Sequence, residues 1–308
     1  MKDEFYFPSK DGNTEIHTVE WKPEGEVKAV LQICHGMVEY INRYDEFAEY
    51  LCSRGIYVVG NDHLGHGKSV QSKAEYGFFH EKYGNSCVLG DMHTLRQRMM
   101  KKYPDVPYFM LGHSMGSIML RQYIRLYGDG LSGALLIGVV AEQPVGVLRL
   151  GRGLCRVIAL FKGWHYRSKL VDNMVVGGFN KKYKPARTRA DWITSDQKRL
   201  DAYASDPLCS FMFTVNAYYH MFGGMMQMEK KESVFMIPKD LPVLFAAGAD
   251  DPVGKYGKGV RKVYNKYKSA GIQDVTLRLY AGDRHELLNE QDRAQVYEDL
   301  AGWIENRI

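Results

Sequence analysis

Several features that would fix the class of this 308-residue chain at once are scarce or missing. Its five cysteines, Cys34, Cys52, Cys87, Cys155 and Cys209, are an odd number, widely spaced and without a CxxC pair. Neither a disulfide framework nor a zinc site is indicated, and a reducing, cytoplasmic setting is the expectation. No apolar run approaches the ~18 residues of a membrane span, and MKDEFYFPSKDGNTEI at the N-terminus is broken by charge too often for a targeting segment. Charge of one sign is barely in excess: 41 basic against 36 acidic side chains leave +5, too little over this length to indicate nucleic-acid binding. Internal repeats and low-complexity tracts are also missing. With 45% apolar and 25% charged residues, what remains is a globular chain long enough for one large domain or a core carrying an insertion.

What is present has a rhythm. Short apolar runs recur at Val27 to Cys34, Tyr57 to Gly60, Tyr108 to Leu111, Ala134 to Gly138, Val243 to Ala247 and Val275 to Tyr280, with helical stretches between them. Tyr44, Phe47, Ala48 and Leu51 form one apolar helix face; Val88, Met92, Leu95 and Met99 form another, and Val296, Leu300, Trp303 and Ile304 a third. Alternating helices and buried strands predict an α/β fold, a mostly parallel central sheet flanked by helices, with Glu15 to Trp21 as an antiparallel strand before it. The rhythm breaks once. About a hundred residues stand after Gly138 where a crossover needs only ~12, which predicts a core of residues 1–140 and 236–308 with a cap inserted at 141–235.

The basic excess is concentrated in that insertion, where residues 141–240 hold sixteen basic and nine acidic side chains. Met212, Met221, Met225, Met226 and Met228 lie among aromatics there, a soft composition that suits either the cap's own small core or the lining of a greasy pocket. Val147, Leu150, Leu154, Ile158 and Phe161 make a helical stripe with Arg149, Arg152 and Arg156 on another face. The expectation is a cap helix packed by its apolar side with solvated arginines; a transient contact with an anionic lipid surface is the alternative.

Gly112-His113-Ser114-Met115-Gly116 matches G-x-S-x-G, a pattern that is weak alone and stronger between a buried run and the helical spacing of Met119, Tyr123 and Leu126. A serine on a strand-to-helix turn projects from the sheet edge as a nucleophile, but it needs a base, and the base needs an acid. In this architecture both follow in later strand-end loops. Of His220 and His285, the second comes just after the run ending at Tyr280 and is the better base. The acid is Asp250 or Asp251, adjacent after the run ending at Ala247, and spacing does not separate them. His35-Gly36-Met37, after the first run, places the Met37 N–H to bind a developing oxyanion, with Met115 N–H as second donor. Asp62-His63-Leu64-Gly65-His66-Gly67-Lys68-Ser69 brings together two histidines and an aspartate. Further ligands at zinc spacing are missing and its glycines suggest a tight structural loop, so neither metal nor organic cofactor is expected.

Taken together, His35-Gly36-Met37-Val38-Glu39, Arg43-Tyr44, the Asp62 to Ser69 segment, Gly112 to Gly116, Gly248-x-x-Asp251 and Arg284-His285-Glu286 resemble the α/β-hydrolase superfamily. Within it they are similar to the monoacylglycerol lipase and lysophospholipase branch. The resemblance implies Asp251 rather than Asp250, giving Ser114, Asp251 and His285 as catalytic residues. It also implies that Glu39 and Arg43, with His113, bind substrate at the polar end of the site, where a glycerol-like alcohol would sit. The chain departs from the pattern at Tyr40, where the family commonly has His. The expected activity is serine-dependent hydrolysis of single-chain acyl esters, monoacylglycerols or lysophospholipids. An aminopeptidase using Glu39 for the substrate amine is the enzymatic alternative, and a non-catalytic ligand-binding protein a third reading.

Overall fold

The computed structural model describes residues Met1–Ile308. Eight strands form one sheet in the order β1-β2-β4-β3-β5-β6-β7-β8. They are β1 (Lys2–Pro8), β2 (Glu15–Trp21), β3 (Ala29–Cys34), β4 (Ile56–Asn61), β5 (Tyr108–His113), β6 (Gly133–Ile137), β7 (Val243–Gly248) and β8 (Val275–Tyr280). The first two pair antiparallel, β2 runs antiparallel to β4, and every other pairing is parallel. The mostly parallel sheet is the one expected, as is the antiparallel strand at Glu15–Trp21. The edge strand β1 was not anticipated; its largely exposed alternation of charged and aromatic residues carries little burial signal.

Strands β3 to β7 are buried along their whole length because helices cover both faces. Successive side chains point to opposite faces and build two cores. Leu31, Ile33, Leu111 and Leu244 meet α1 (Asp45–Cys52) and α9 (Arg293–Glu305) on one side. Val30, Met110, Leu136 and Phe245 meet α2 (Gly84–Lys102) and α3 (Met115–Tyr127) on the other. The three helical faces read from the sequence are buried throughout, whereas Leu126, at the end of α3, is exposed.

Between β6 and β7 the chain leaves the sheet and forms α4 (Val145–Lys162), α5 (Lys169–Val175), α6 (Gln197–Ser205) and α7 (Val215–Met228). The packing of α4 departs from expectation. Its apolar stripe is divided: Val147, Leu150 and Phe161 are exposed, as are Val157 and Leu160, while Leu154 and Ile158 are half-buried against the core. The helix is seated through Leu148, Gly151 and Cys155. At Gly151 a β-carbon would stand 3.0 Å from the Phe222 ring of α7, so the glycine lets the two helices approach there without displacing that ring. After β7 the core resumes with α8 (Lys258–Ser269). All five cysteines are unpaired, and no helix is long and apolar enough to cross a membrane.

Candidate active site

Four turns at the carboxyl ends of parallel strands converge, the place where such sheets hold their ligands. Between β5 and α3, Ser114 has φ of 52°, a left-handed conformation that a side-chain-bearing residue adopts at a cost. Two neighbouring positions make the sharp turn possible. A β-carbon at Gly116 would fall 1.9 Å from the Cys34 carbonyl oxygen, and one at Gly112 would fall 2.5 Å from the Gly116 carbonyl oxygen. The turn is therefore glycine-dependent on both sides of the serine, and it leaves Ser114 partly exposed at the floor of a cavity of about 360 Å³.

In the turn after β7, Asp251 is fully buried. Its Oδ1 accepts from the Val253 N–H at 2.8 Å and its Oδ2 from His285 Nδ1 at 2.9 Å. That bond puts the proton on Nδ1 and leaves Nε2 as the basic nitrogen. Nε2 is buried without any hydrogen-bond partner. The His285 ring, in the turn after β8, lies between those of Trp192 and His113, each with its centroid 5.0 Å away. Asp250 faces elsewhere, its carboxylate 2.6 Å from Lys182 Nζ. His220 is removed from the cavity, its Nε2 3.3 Å from the Glu81 carbonyl oxygen.

The turn after β3 brings Gly36 against the nucleophile: a β-carbon there would stand 3.2 Å from Ser114 Cβ. Met37 and Met115 line the same cavity as Ser114. The Met37 N–H makes no backbone hydrogen bond, and Met115 opens α3, where the first N–H groups have no acceptor within the helix. Both amides are thus available to a negative oxygen beside Ser114.

Glu39, Arg43 and His113 do not line that cavity. They form a compact charged network beneath it. Glu39 accepts from the Gly36 N–H, from His113 Nδ1 at 2.8 Å, from Tyr44 OH at 3.0 Å and from Arg43 Nη1 at 2.9 Å. Arg43 also forks onto Glu286 through bonds of 2.8 and 2.7 Å. Burial opposes charge on both members of the Glu39 and His113 pair, but attraction wins. His113 titrates above its ordinary value because of the Glu39 charge and hydrogen bond, and Glu39 is held below the usual carboxylate range by His113 and then Arg43. The set is held by its own hydrogen bonds except at His113 Nε2, which is buried without a partner, and it borders a small separate pocket with Tyr44 and Glu286 rather than the cavity at Ser114.

In the Asp62 to Ser69 segment the aspartate is fully engaged, whereas both ring nitrogens of His63 and Nε2 of His66 are buried without a hydrogen-bond partner. Asp62 accepts from the Ile41 and Lys68 N–H groups, both at 2.8 Å, and from His17 Nδ1 at 2.7 Å. Burial pushes His66 down to about 3 and lowers His63 well below its ordinary value, keeping both rings neutral. His35 Nε2 accepts from the His63 N–H at 2.9 Å, which ties this loop to the turn after β3.

Residues 25–292 match the Hydrolase_4 family, described as serine aminopeptidase, S33. The chain belongs to that family of hydrolases. Among its relatives, the monoglyceride lipase of Mus musculus is 29% identical over 94% of this chain and 86% of its own length. The monoacylglycerol lipase of Mycolicibacterium smegmatis is 24% identical over 94% and 92%. A thermostable carboxyl esterase from Bacillus coagulans, solved in complex with glycerol, superposes with a TM-score of 0.92 at 29% identity, covering 99% of this chain and 98% of that one. The α/β-hydrolase fold implied by the sequence motifs is therefore the fold of this family member.

The rest of the cavity was legible only in part. Of the five methionines between Met212 and Met228, Met221 and Met225 line it, while Met228 is buried elsewhere, against a pocket that also holds Val234 and Ile237. Trp192, Phe179, Met174 and Lys255 also line it and were not foreseen. Nothing in their local sequence marks them; the folded path of the insertion brings the first three to the cavity, and the turn after β7 brings Lys255.

Proposed function

We propose that this hydrolase cleaves carboxylic esters of single acyl chains, monoacylglycerols first among them, through Ser114, His285 and Asp251. The observation that carries this reading is the buried Asp251 and His285 pair, whose Nε2 is unpartnered and whose ring packs on Trp192, a residue lining the same apolar cavity as the strained Ser114. Ser114 Oγ attacks the acyl carbonyl as His285 Nε2 takes its proton, and the Met37 and Met115 amides hold the oxyanion. Collapse of the tetrahedral species expels the alcohol, which takes the proton from His285. Water then gives a proton to the same nitrogen and attacks the acyl-enzyme, and the carboxylic acid leaves as Ser114 recovers its proton. No step calls on a metal or an organic cofactor.

Similarity to monoglyceride lipases over most of both chains supports the substrate class, and so does the cavity, where fifteen of 21 lining residues are hydrophobic. Each buried methylene contributes ~0.8 kcal/mol to acyl-chain binding. An aminopeptidase needs a carboxylate for the substrate amine. Glu39, the candidate, is taken up by its internal donors, and no acidic side chain lines the cavity. We assign residues 141–235 as the cap over this site, and the exposed Val147, Leu150, Val157, Leu160 and Phe161 beside Arg149 and Arg156 as its transient contact with a lipid surface. Five free thiols support a cytoplasmic setting.

The deciding experiment compares wild type with Ser114→Ala on monoacylglycerol. We expect hydrolysis to fall by about 10⁴-fold or more, with a fluorophosphonate adduct on Ser114 in wild type only. Undiminished hydrolysis by the variant, or faster cleavage of aminoacyl amides than of esters by wild type, overturns the reading.

A further inference from the structure

One charged side chain lines the cavity that holds Ser114, and it is Lys255. It stands in an unusual piece of backbone. Lys255 and Tyr256 have φ of 52° and 55°, and Gly257 follows at 76°. Three successive left-handed residues, two of them bearing side chains, form a conformation that persists only where surrounding contacts over-determine it. Those contacts come from the turn that carries the acid: the Lys255 N–H donates to the Pro252 carbonyl at 3.1 Å and the Tyr256 N–H to the Asp251 carbonyl at 2.8 Å. The position of Lys255 is thus coupled to that of Asp251.

The ammonium has no carboxylate partner. Its only hydrogen bond is a long one, 3.4 Å, to the Glu142 carbonyl oxygen. The Glu142 carboxylate is engaged by Lys266 at 2.6 Å and Lys262 at 3.5 Å. Nearby, Lys182 lies 5.2 Å above the Tyr256 ring and is paired with Asp250 at 2.6 Å. The rim therefore carries one uncompensated positive charge against an otherwise uncharged lining. A neutral monoacylglycerol offers that ammonium only uncharged hydroxyl and ester oxygens, and no counter-charge.

We propose that Lys255 is a specificity-determining residue that selects single-chain esters bearing an anionic group, phosphate or carboxylate, held at the cavity rim while Ser114 attacks the ester. This rests on the ester-hydrolase reading and narrows its substrate class. Lys255 is exposed where it borders the cavity, and a charge-assisted hydrogen bond from it to an anion is stronger than one to a neutral oxygen, so the preference is read in kcat/KM.

The test uses the full chain, wild type and Lys255→Gln, on three esters of equal chain length. These are a neutral 1-acylglycerol, a 1-acylglycerol 3-phosphate, and a glycerol monoester of a dicarboxylic acid whose free carboxylate lies at the far end of the chain. We expect the ratio of anionic to neutral kcat/KM to fall at least tenfold in Lys255→Gln and further in Lys255→Glu. The wild-type ratio should shrink as salt is raised. Lys258→Gln, which removes an exposed lysine outside the cavity, should leave the ratio within twofold. A fall confined to the phosphate ester puts the anion on the leaving alcohol; a fall confined to the dicarboxylic monoester puts it at the acyl terminus; either supports the proposal. A ratio unchanged by Lys255→Gln while all three esters are cleaved overturns the proposal and leaves the hydrolase reading standing. Failure of wild type to cleave any of them overturns both.

Discussion

The turns that leave β3, β5, β7 and β8 and the helices between β6 and β7 meet over Ser114, but they place their side chains by different means. In the turns, position comes from the backbone: Gly116 against the Cys34 carbonyl, Asp251 closed onto Val253, the Gly36 N–H held by Glu39. In the insertion it comes from packing, as when Phe222 fits over Gly151 or Trp192 lies against His285. Backbone constraints are short-range and demand particular residue types. Packing tolerates many apolar residues provided that volume is conserved. The turns should therefore control whether bonds break, and the insertion which chains are accepted.

The sharpest way to break this division is Asp251→Asn. An amide nitrogen beside Nδ1 donates where the carboxylate accepted, which moves the imidazole proton to Nε2 and removes the basic lone pair facing the serine. We expect kcat to fall about 10⁴-fold, the scale of a wrong tautomer in a serine triad, with KM little changed and the fold retained. A loss below tenfold, measured by steady-state kinetics on a soluble ester, would detach Asp251 from the chemistry.

Glu39→Gln probes the network beneath the turns. It leaves the buried His113 and Arg43 without their shared anion, and breaking such a pair costs roughly 3–5 kcal/mol. The sign of the pH dependence follows from the two shifts. The Glu39 contribution is present above the unfolded carboxylate value and is lost as pH falls through the lowered folded one. The His113 contribution is present below its unfolded value, about 6.5, and is lost as pH rises through the raised folded one. Wild-type stability attributable to the pair is thus greatest in the mildly acidic to neutral window. Denaturant titrations should show the penalty of Glu39→Gln shrinking at both pH extremes. Because Glu39 holds the Gly36 turn, kcat should drop with KM nearly constant; a rise in KM alone would restore Glu39 to contact with substrate.

The same division explains what could be read without coordinates. Ser114, His285, Met37 and the strand rhythm were legible because their signals are local: glycines at an elbow, a histidine just past a strand, runs buried on both faces. Choosing Asp251 over Asp250 needed family resemblance, since adjacent carboxylates differ only in where each points once β7 ends. The ion-pair network of Glu39 and Arg43 carried no local signal, because Glu286, the partner that draws Arg43 inward, is distant in sequence. The partial outward turn of the α4 stripe was hidden because Gly151, beside the Phe222 ring, joins Leu148 and Cys155 on the buried face.

That glycine gives the finest test of the comparison. Gly151→Val forces the Phe222 ring, already 3.0 Å from the position of a β-carbon, toward the cavity it lines. A side chain at this helical position is favoured over glycine by several tenths of a kcal/mol, while overpacking costs ~1–3 kcal/mol, so net stability should change by no more than ~2 kcal/mol. Specificity should move more clearly. Each methylene that loses its place forfeits ~0.8 kcal/mol, about fourfold in kcat/KM, so the preferred acyl chain shortens while kcat on the shortest esters is retained. Gly153→Val, on the same helix with nothing within 4 Å of its β-carbon position, should leave the chain-length profile in place. A uniform loss of kcat in Gly151→Val across all chain lengths would mean that the insertion positions the catalytic turns as well as the acyl chain, and the division between the two regions would fail.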